Sequence, residues 1–276
     1  MIEILREALG VSAKVYDRFG NSYDKGKTKG PFARDIVTKL DSLIDLELKA
    51  YFHKKKISFL SEESTPRLPK GSKTFAIVDP LDGSLNWKYK LGCHGTIIGL
   101  VLEGQLLYGG ICSHSEGVTI HSDSLSNKYS RAYALHSLNE AVTDSPAPCF
   151  LALGPTLNSS SRLSFDYLIN ADPRSFPGFH RLGSVAHGVL SYLAGKYSSL
   201  IILNVRIWDI AGTLPLISAK HPDSVYVSVS NEGISVVSGS PNLAYKNTLD
   251  KVIESLDAKL FDKSTFTKFS STLIYE

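Results

Sequence analysis

Two aspartates three residues apart, Asp79 and Asp82, lie in the segment Thr74 to Trp87, Thr-Phe-Ala-Ile-Val-Asp-Pro-Leu-Asp-Gly-Ser-Leu-Asn-Trp. Paired carboxylates on a short rigid connection suit a hard cation, and magnesium usually shares its shell with a substrate phosphate. The run Phe75 to Val78 is apolar and rich in β-branched residues, which predicts a buried strand. Pro80 removes a ladder donor and predicts the strand's end at Asp79. Pro80-Leu81-Asp82-Gly83 has turn chemistry, with proline fixing φ and Gly83 free to take a positive φ. Ser84 reads as the N-cap of a short helix whose first amides favour an anion. The expectation is metal-dependent chemistry on a phosphate. A solvated Asp-Gly turn is the plainer alternative.

Other polar residues are candidates for the same site, each with an ordinary structural use. Thr38-x-x-Asp41 reads as a capping box for a helix whose apolar positions run from Ile36 to Phe52. Glu62 and Glu63 follow a short strand, Ile57 to Leu60, and read as loop acids. Gly183 and Ser184 lead into a helix with Ser184 as N-cap and Val185, Val189, Leu190 and Leu193 on its apolar side. Asp209, beside Trp208, reads as an acid at a helix start. Arg206, Arg174, His180 and Arg181 suit either an anionic substrate or the surface. The eight histidines and three cysteines show no His-x-x-x-His or paired-Cys spacing, which disfavours zinc. Walker and dinucleotide fingerprints are missing as well.

These segments, in this order, resemble the motifs of the inositol monophosphatase family. Asp79 to Trp87 resembles Asp-Pro-x-Asp-Gly-Thr-x-Asn-Phe, with Ser84 for threonine and Trp87 for phenylalanine. Asp35 to Asp41 resembles Asp-x-Val-Thr-x-x-Asp, and Ser61-Glu62-Glu63 resembles Gly-Glu-Glu. The stretch ending Leu182-Gly183-Ser184-Val185-Ala186 resembles Arg-x-x-Gly-Ser/Thr-Ala-Ala. Trp208-Asp209-Ile210-Ala211-Gly212 resembles Trp-Asp-x-Ala-Ala-Gly. The resemblance implies that Glu62, Asp79, Asp82, Asp209 and the carbonyl of Leu81 bind two or three magnesium ions. It implies that Asp41 pairs with the Ser84 hydroxyl, these two and Glu62 serving the attacking water, while the Gly83 and Ser84 amides hold the phosphate. Gly183, Ser184 and Val185 would approach the substrate, with Arg206 and Asp209 beside them.

The implied activity is hydrolysis of a sugar or cyclitol phosphomonoester, with a homodimer as the family's common state. Two departures bear on specificity. Ile202 stands where inositol-specific relatives carry a glutamate, with Asn204 the nearest polar residue. Leu216 to Lys220 replaces the family's Glu-Ala-Gly-Gly element. A strict preference for inositol phosphate is therefore not expected. A bisphosphate nucleotidase of the same superfamily, and a weakly catalytic binder of phosphorylated ligands or a protein partner, are the alternatives.

The elements needed to position these residues fit an α/β chain. The resemblance implies a layered αβαβα sugar-phosphatase fold with an α+β N-terminal half. A helix over Leu5 to Phe19 and the helix after Thr38 would cover an antiparallel-rich sheet built from the central strand and the runs 96–102, 105–111 and 117–121. Polar and Pro-rich stretches bracket a boundary, giving domains 1–142 and 143–276. The second would alternate strands near 149–153, 199–205, 225–229 and 234–237 with helices, including 159–170 (Leu163, Tyr167 and Leu168 inward) and a terminal one over 249–260. The 276 residues, 43% apolar, have ample core volume. A net charge of +3 gives no footprint for nucleic acid. No apolar run approaches the ~20 residues of a membrane span. Cys93, Cys112 and Cys149 are odd in number and widely spaced, and the first residues lack a signal-peptide pattern, so a reducing, cytoplasmic setting is expected.

Overall fold

The fold is described from a computed structural model for residues 1–22, 27–28, 36–64, 67–68, 71–123, 128–132, 147–239 and 245–261. Its organising strand, β4 (Phe75–Asp82), is buried at every residue, because both of its faces are covered. Ala76 and Val78 pack under α1 (Ile2–Phe19) and α2 (Lys39–Lys54) with Leu9, Ile44, Leu48 and Phe52. Phe75 and Ile77 point the other way, into a core shared with the second half of the chain. That alternation is the period-2 geometry of a strand. The short strands β1 (Lys27–Thr28) and β2 (Ile36–Val37) pair just before α2. The sheet runs β3 (Ser58–Ser61), β4, β5 (Gly95–Leu102), β6 (Gln105–Ser113), β7 (Val118–Asp123) and β8 (Lys128–Ala132), in that order. Only the β3–β4 pair is parallel. Glu103 and Gly104, with φ of 50° and 77°, make the two-residue turn between β5 and β6. Positive φ at both central positions matches the strand twist there.

The second sheet has the order β10 (Phe179–His180), β9 (Cys149–Leu153), β11 (Ser199–Val205), β13 (Gly233–Gly239), β12 (Val225–Ser230) and β14 (Lys259–Leu260). Between the two sheets lie α5 (Val185–Leu193), α6 (Ile207–Ala211) and α7 (Leu214–Lys220), whose Val189, Ile210 and Ile217 join Ile97 and Val101 of the first sheet to Ile202 and Val236 of the second. On the outer face α4 (Ser159–Ile169) and α8 (Lys246–Ser255) pack with Leu151, Ile201 and Val237. The layers are helices, sheet, helices, sheet, helices. The contact between β5 and α6 is close: a Cβ at Gly99 would stand 2.6 Å from the Ala211 carbonyl. Glycine there lets α6, which carries Asp209, lie directly on the first sheet.

Several sequence expectations shift. β4 does not stop at Asp79 but continues through Pro80 to Asp82, with a register shift between Asp79 and Asp82. Its parallel partner β3 ends opposite Val78, so the missing proline N–H leaves no gap in that ladder. Ile36 belongs to β2 rather than to the helix that Thr38 caps. Gly83, at φ 83°, is the N-cap of α3 (Ser84–Lys88), and Ser84 is its first helical residue. Leu163 is 45% exposed; α4 instead turns Ser161, Ser164 and Leu168 inward. Those hydroxyls are buried because they have partners, Ser161 with Ser235 and Ser164 with the Ser160 carbonyl and Ser255. The terminal helix ends at Ser255, and Lys259–Leu260 pairs with β12 as a strand. The expected domain boundary at 142/143 and the residues beyond 261 lie outside the described residues, and of a turn expected over 238–242 the first two residues end β13 while the rest lie outside them. Among the described residues no helix is long and apolar enough to cross a membrane.

Candidate active site

Asp79 and Asp82 leave the C-terminal end of β4, and Asp209 projects from the first turn of α6; one oxygen of each lies within 4.8 Å of the other two. Asp79 and Asp82 are buried and Asp209 half-buried. Local bonds aim each carboxylate. Asp79 Oδ1 accepts the Leu81 amide at 3.0 Å, and Asp209 Oδ2 accepts the Arg206 amide at 2.8 Å. Asp82 reaches the start of α5, where its oxygens accept the amides of Val185 at 3.1 Å and Ala186 at 2.8 Å and the Ser184 hydroxyl. A carboxylate at a helix N-terminus meets unsatisfied amides and the positive end of the dipole.

The electrostatics ask for a cation. Asp79 is pushed well above the usual carboxylate range by burial, then by the charges of Glu62, Asp82, Asp209 and Asp41. Asp209 is raised to about 7 by burial and then by Asp82, with its Arg206 contacts pulling partly the other way. Burial also raises Asp82, against the lowering bonds from Ser184, Ala186 and Val185. Among the described residues none of the three forms an ion pair. Converging, mutually repelling oxygens that pair with no cationic side chain among the described residues are the donor set of a hard divalent ion. Histidine and cysteine take no part in the cluster, which fits magnesium better than zinc.

Beside the cluster, Ser84 Oγ lies 2.9 Å from Asp41 Oδ1 and 2.8 Å from the Leu81 carbonyl. Asp41 is buried, and its other oxygen accepts the Thr38 amide at 2.8 Å and the Thr38 hydroxyl, so the helix cap and the Ser84 contact coexist on one carboxylate. Burial raises the Asp41 carboxyl to about 7 despite these bonds. Glu62 begins the turn after β3 and stands outside the 4.8 Å cluster, close enough for its charge to act on Asp79. The preceding Ser61 is fully buried and donates its hydroxyl to Asp45, one helical turn beyond Asp41.

The substrate-side candidates spread out. Gly183 is exposed at φ 69°, whereas Ser184 and Val185 are buried and engaged by Asp82. Arg206 is exposed at the mouth of α6. Arg174 is tied to Asp172 by three side-chain contacts of 3.1–3.2 Å. Ile202 is fully buried between the sheets. Asn204, at φ 53°, is spent on the strand's irregular end, donating to the Thr156 carbonyl at 2.9 Å. Neither residue offers a sugar ligand.

Three residues joined to the site had no role assigned from sequence. Asn86 Nδ2 donates to the carbonyls of Cys93 at 2.9 Å and Leu182 at 2.7 Å, pinning the α3 loop to the approach to α5. Thr96 donates to the Pro80 carbonyl at 2.8 Å. His187, three residues after the cap Ser184, bonds across to β6. Ser-x-x-His at a helix start was legible as a spacing, but its partners lie 72 and 74 residues away.

The fold is that of known phosphatases. A solved inositol monophosphatase from Thermotoga maritima superposes with a TM-score of 0.70 at 17% identity, covering 93% of this chain and 98% of that one. A Staphylococcal inositol monophosphatase complexed with products gives 0.69 at 14%, covering 94% and 97%. An IMPase/NADP phosphatase complexed with magnesium and phosphate gives 0.69 at 13%, covering 90% and 93%. No match was found among curated proteins. The inositol monophosphatase family matches residues 1–220, and the chain belongs to that family. It is thus a phosphatase, a phosphoric monoester hydrolase, with a carboxylate cluster suited to a divalent metal.

Proposed function

We propose that the protein is a magnesium-dependent phosphatase of sugar or cyclitol phosphomonoesters, without a strict preference for inositol phosphate. The convergence of Asp79, Asp82 and Asp209 within 4.8 Å, beside the Ser84–Asp41 pair, carries this reading. Glu62 and the Leu81 carbonyl would complete the ligands for two or three ions. Bound there, the ions would lower the pKa of the attacking water and stabilise the departing alkoxide. Ser84 would orient that water for in-line attack on phosphorus. Its hydroxyl has one proton for two acceptors, so with the Leu81 carbonyl engaged elsewhere the proton turns to Asp41 Oδ1. Ser84 Oγ is then free to accept a proton from water, and Asp41, raised to about 7, is matched to general base work near neutral pH. The Gly83 and Ser84 amides would hold the phosphate, and Gly183, Ser184, Val185 and Arg206 would line the side that receives the alcohol.

The burial of Ile202 and the commitment of Asn204 leave that side without the carboxylate of inositol-specific relatives. The exposed Arg206 favours a substrate with a second anionic group, which keeps a bisphosphate nucleotidase as the second reading. A homodimer and a cytoplasmic setting belong to the proposal as well. The test is phosphate release with and without magnesium on inositol 1-phosphate, fructose 1,6-bisphosphate and adenosine 3′,5′-bisphosphate. Magnesium-dependent turnover is expected, highest on fructose 1,6-bisphosphate. A preference for the nucleotide would favour the second reading. Magnesium binding without turnover on any of the three would point to a binding role instead.

A further inference from the structure

The mechanism above makes no use of His187, although its hydrogen bonds lead to Asp82. His187 Nε2 faces the hydroxyls of Ser113 at 2.9 Å and Ser115 at 3.0 Å, at the end of β6 and in the turn after it. On the other side of the ring, Nδ1 lies 3.3 Å from Ser184 Oγ, and Ser184 donates to Asp82 Oδ2. The path starts on the first sheet, crosses to α5 and its cap, and returns to the first sheet at a carboxylate of the cluster.

Proton counting assigns the ring. A serine hydroxyl has one proton, and that of Ser184 goes to Asp82. Ser184 Oγ can therefore only accept from His187, so the imidazole proton sits on Nδ1. Nε2 is then the acceptor, its single lone pair facing the hydroxyls of Ser113 and Ser115. Burial pushes the ring down to about 4, so it is neutral in this arrangement. A histidine on a buried helix face is ordinarily a satisfied core group. This one differs because its bonds end on a carboxylate that the proposed function makes a cation ligand, and partners of ligands orient them and tune affinity.

We propose that His187 is a positioning residue for Asp82: as the Nδ1-protonated imidazole it fixes Ser184, which in turn aims the Asp82 carboxylate into the cluster. The inference rests on the reading of Asp82 as a metal ligand, and two measurements keep the failures apart. The first is long-range proton–nitrogen NMR of the imidazoles in the full chain, with His187 assigned by loss of its signals in His187→Asn. A protonated Nδ1 and a bare Nε2 are expected; the reverse tautomer overturns the proposal. The second is Mn²⁺ binding followed by electron paramagnetic resonance. His187→Leu should weaken binding roughly 10-fold, the low end of what lost ligand partners cost. His187→Asn, whose amide NH₂ falls where Nδ1–H was, should stay within about 3-fold of the parent on the same scale. Unchanged binding in His187→Leu, or an equal loss in both variants, overturns it. If His187→Leu does not fold, the tautomer and the asparagine variant decide. A parent protein that binds no Mn²⁺ would sink the proposed function, and the tautomer would then judge the bond path by itself.

Discussion

Asp79, Asp82 and Asp209 bring three acids together, two buried and one half-buried, while the adjoining segments and α5 bury His94, His114 and His187. The two groups are treated differently. His114 Nε2 meets Thr96 Oγ1 at 2.9 Å, and since Thr96 gives its proton to the Pro80 carbonyl, the ring donates and is satisfied. His114 also stacks on Tyr16 with centroids 4.5 Å apart and rings 5° from parallel. His94 Nε2 meets the Tyr16 hydroxyl at 3.1 Å. Burial lowers all three imidazoles, His114 to about 3 and His187 to about 4, and they are neutral where the acids would be charged. Neutral groups can be completed by hydroxyls. A cluster of carboxylates cannot, because each added negative charge raises the cost of the next. His114 and His187 are completed in this way, whereas His94 Nδ1 is buried with no hydrogen-bond partner among the described residues; three converging carboxylates call for a cation instead.

The largest effect should come from taking one acid away. Asp209→Asn is expected to reduce turnover by roughly 100-fold or more, at or beyond the upper end of what second-shell changes cost. The same change should raise the melting temperature of metal-free protein, since it removes a buried repulsion with Asp82 and Asp79. Near-normal phosphate release, or a lower metal-free melting temperature, would break the contrast between the regions.

The pH dependence sharpens it, because the two regions act with opposite sign. The acids bind protons more tightly folded than unfolded. Their contribution is full below the ordinary value of 3.8 and is lost as pH rises through about 7 for Asp41 and Asp209. The histidines bind protons less tightly when folded. Their contribution is present above the ordinary 6.5 and is lost as pH falls toward about 4 for His187 and about 3 for His114. If magnesium binds as proposed, it would relieve the acids and would contact none of these histidines. The gap between metal-loaded and metal-free melting temperatures should therefore widen as pH rises through about 7, and a gap independent of pH would count against the assignment.

The smallest expected effect concerns the backbone that presents the acids. Gly83→Ala would place a Cβ 2.6 Å from the Cys93 carbonyl oxygen at φ 83°. A loss of ~1–3 kcal/mol is expected in urea unfolding, the usual cost of such backbone strain. A neutral result would mean that the α3 turn relaxes without disturbing its neighbours.

Local chemistry was legible because it depends on neighbours in sequence. The Thr38–Asp41 capping box, the Ser184 cap and the outline of most strands, including the runs 96–102 and 105–111 that become β5 and β6, appear in the structure where their residues foretold them. The strand through Pro80 was misjudged because the end of β3, which makes the proline harmless, lies on another strand. Inward serines on α4 were missed for the same reason, since Ser235 and Ser255 come from distant elements. By itself the sequence determined which groups carry charge, that helices are capped at Thr38 and Ser184, and which carboxylates are available to a metal. Only the tertiary structure decided that Asp209 meets Asp79 and Asp82, that Asp82 rests on α5, and that His187 stands behind it. Those facts depend on distances between segments more than 70 residues apart, and no local rule of propensity or spacing encodes them.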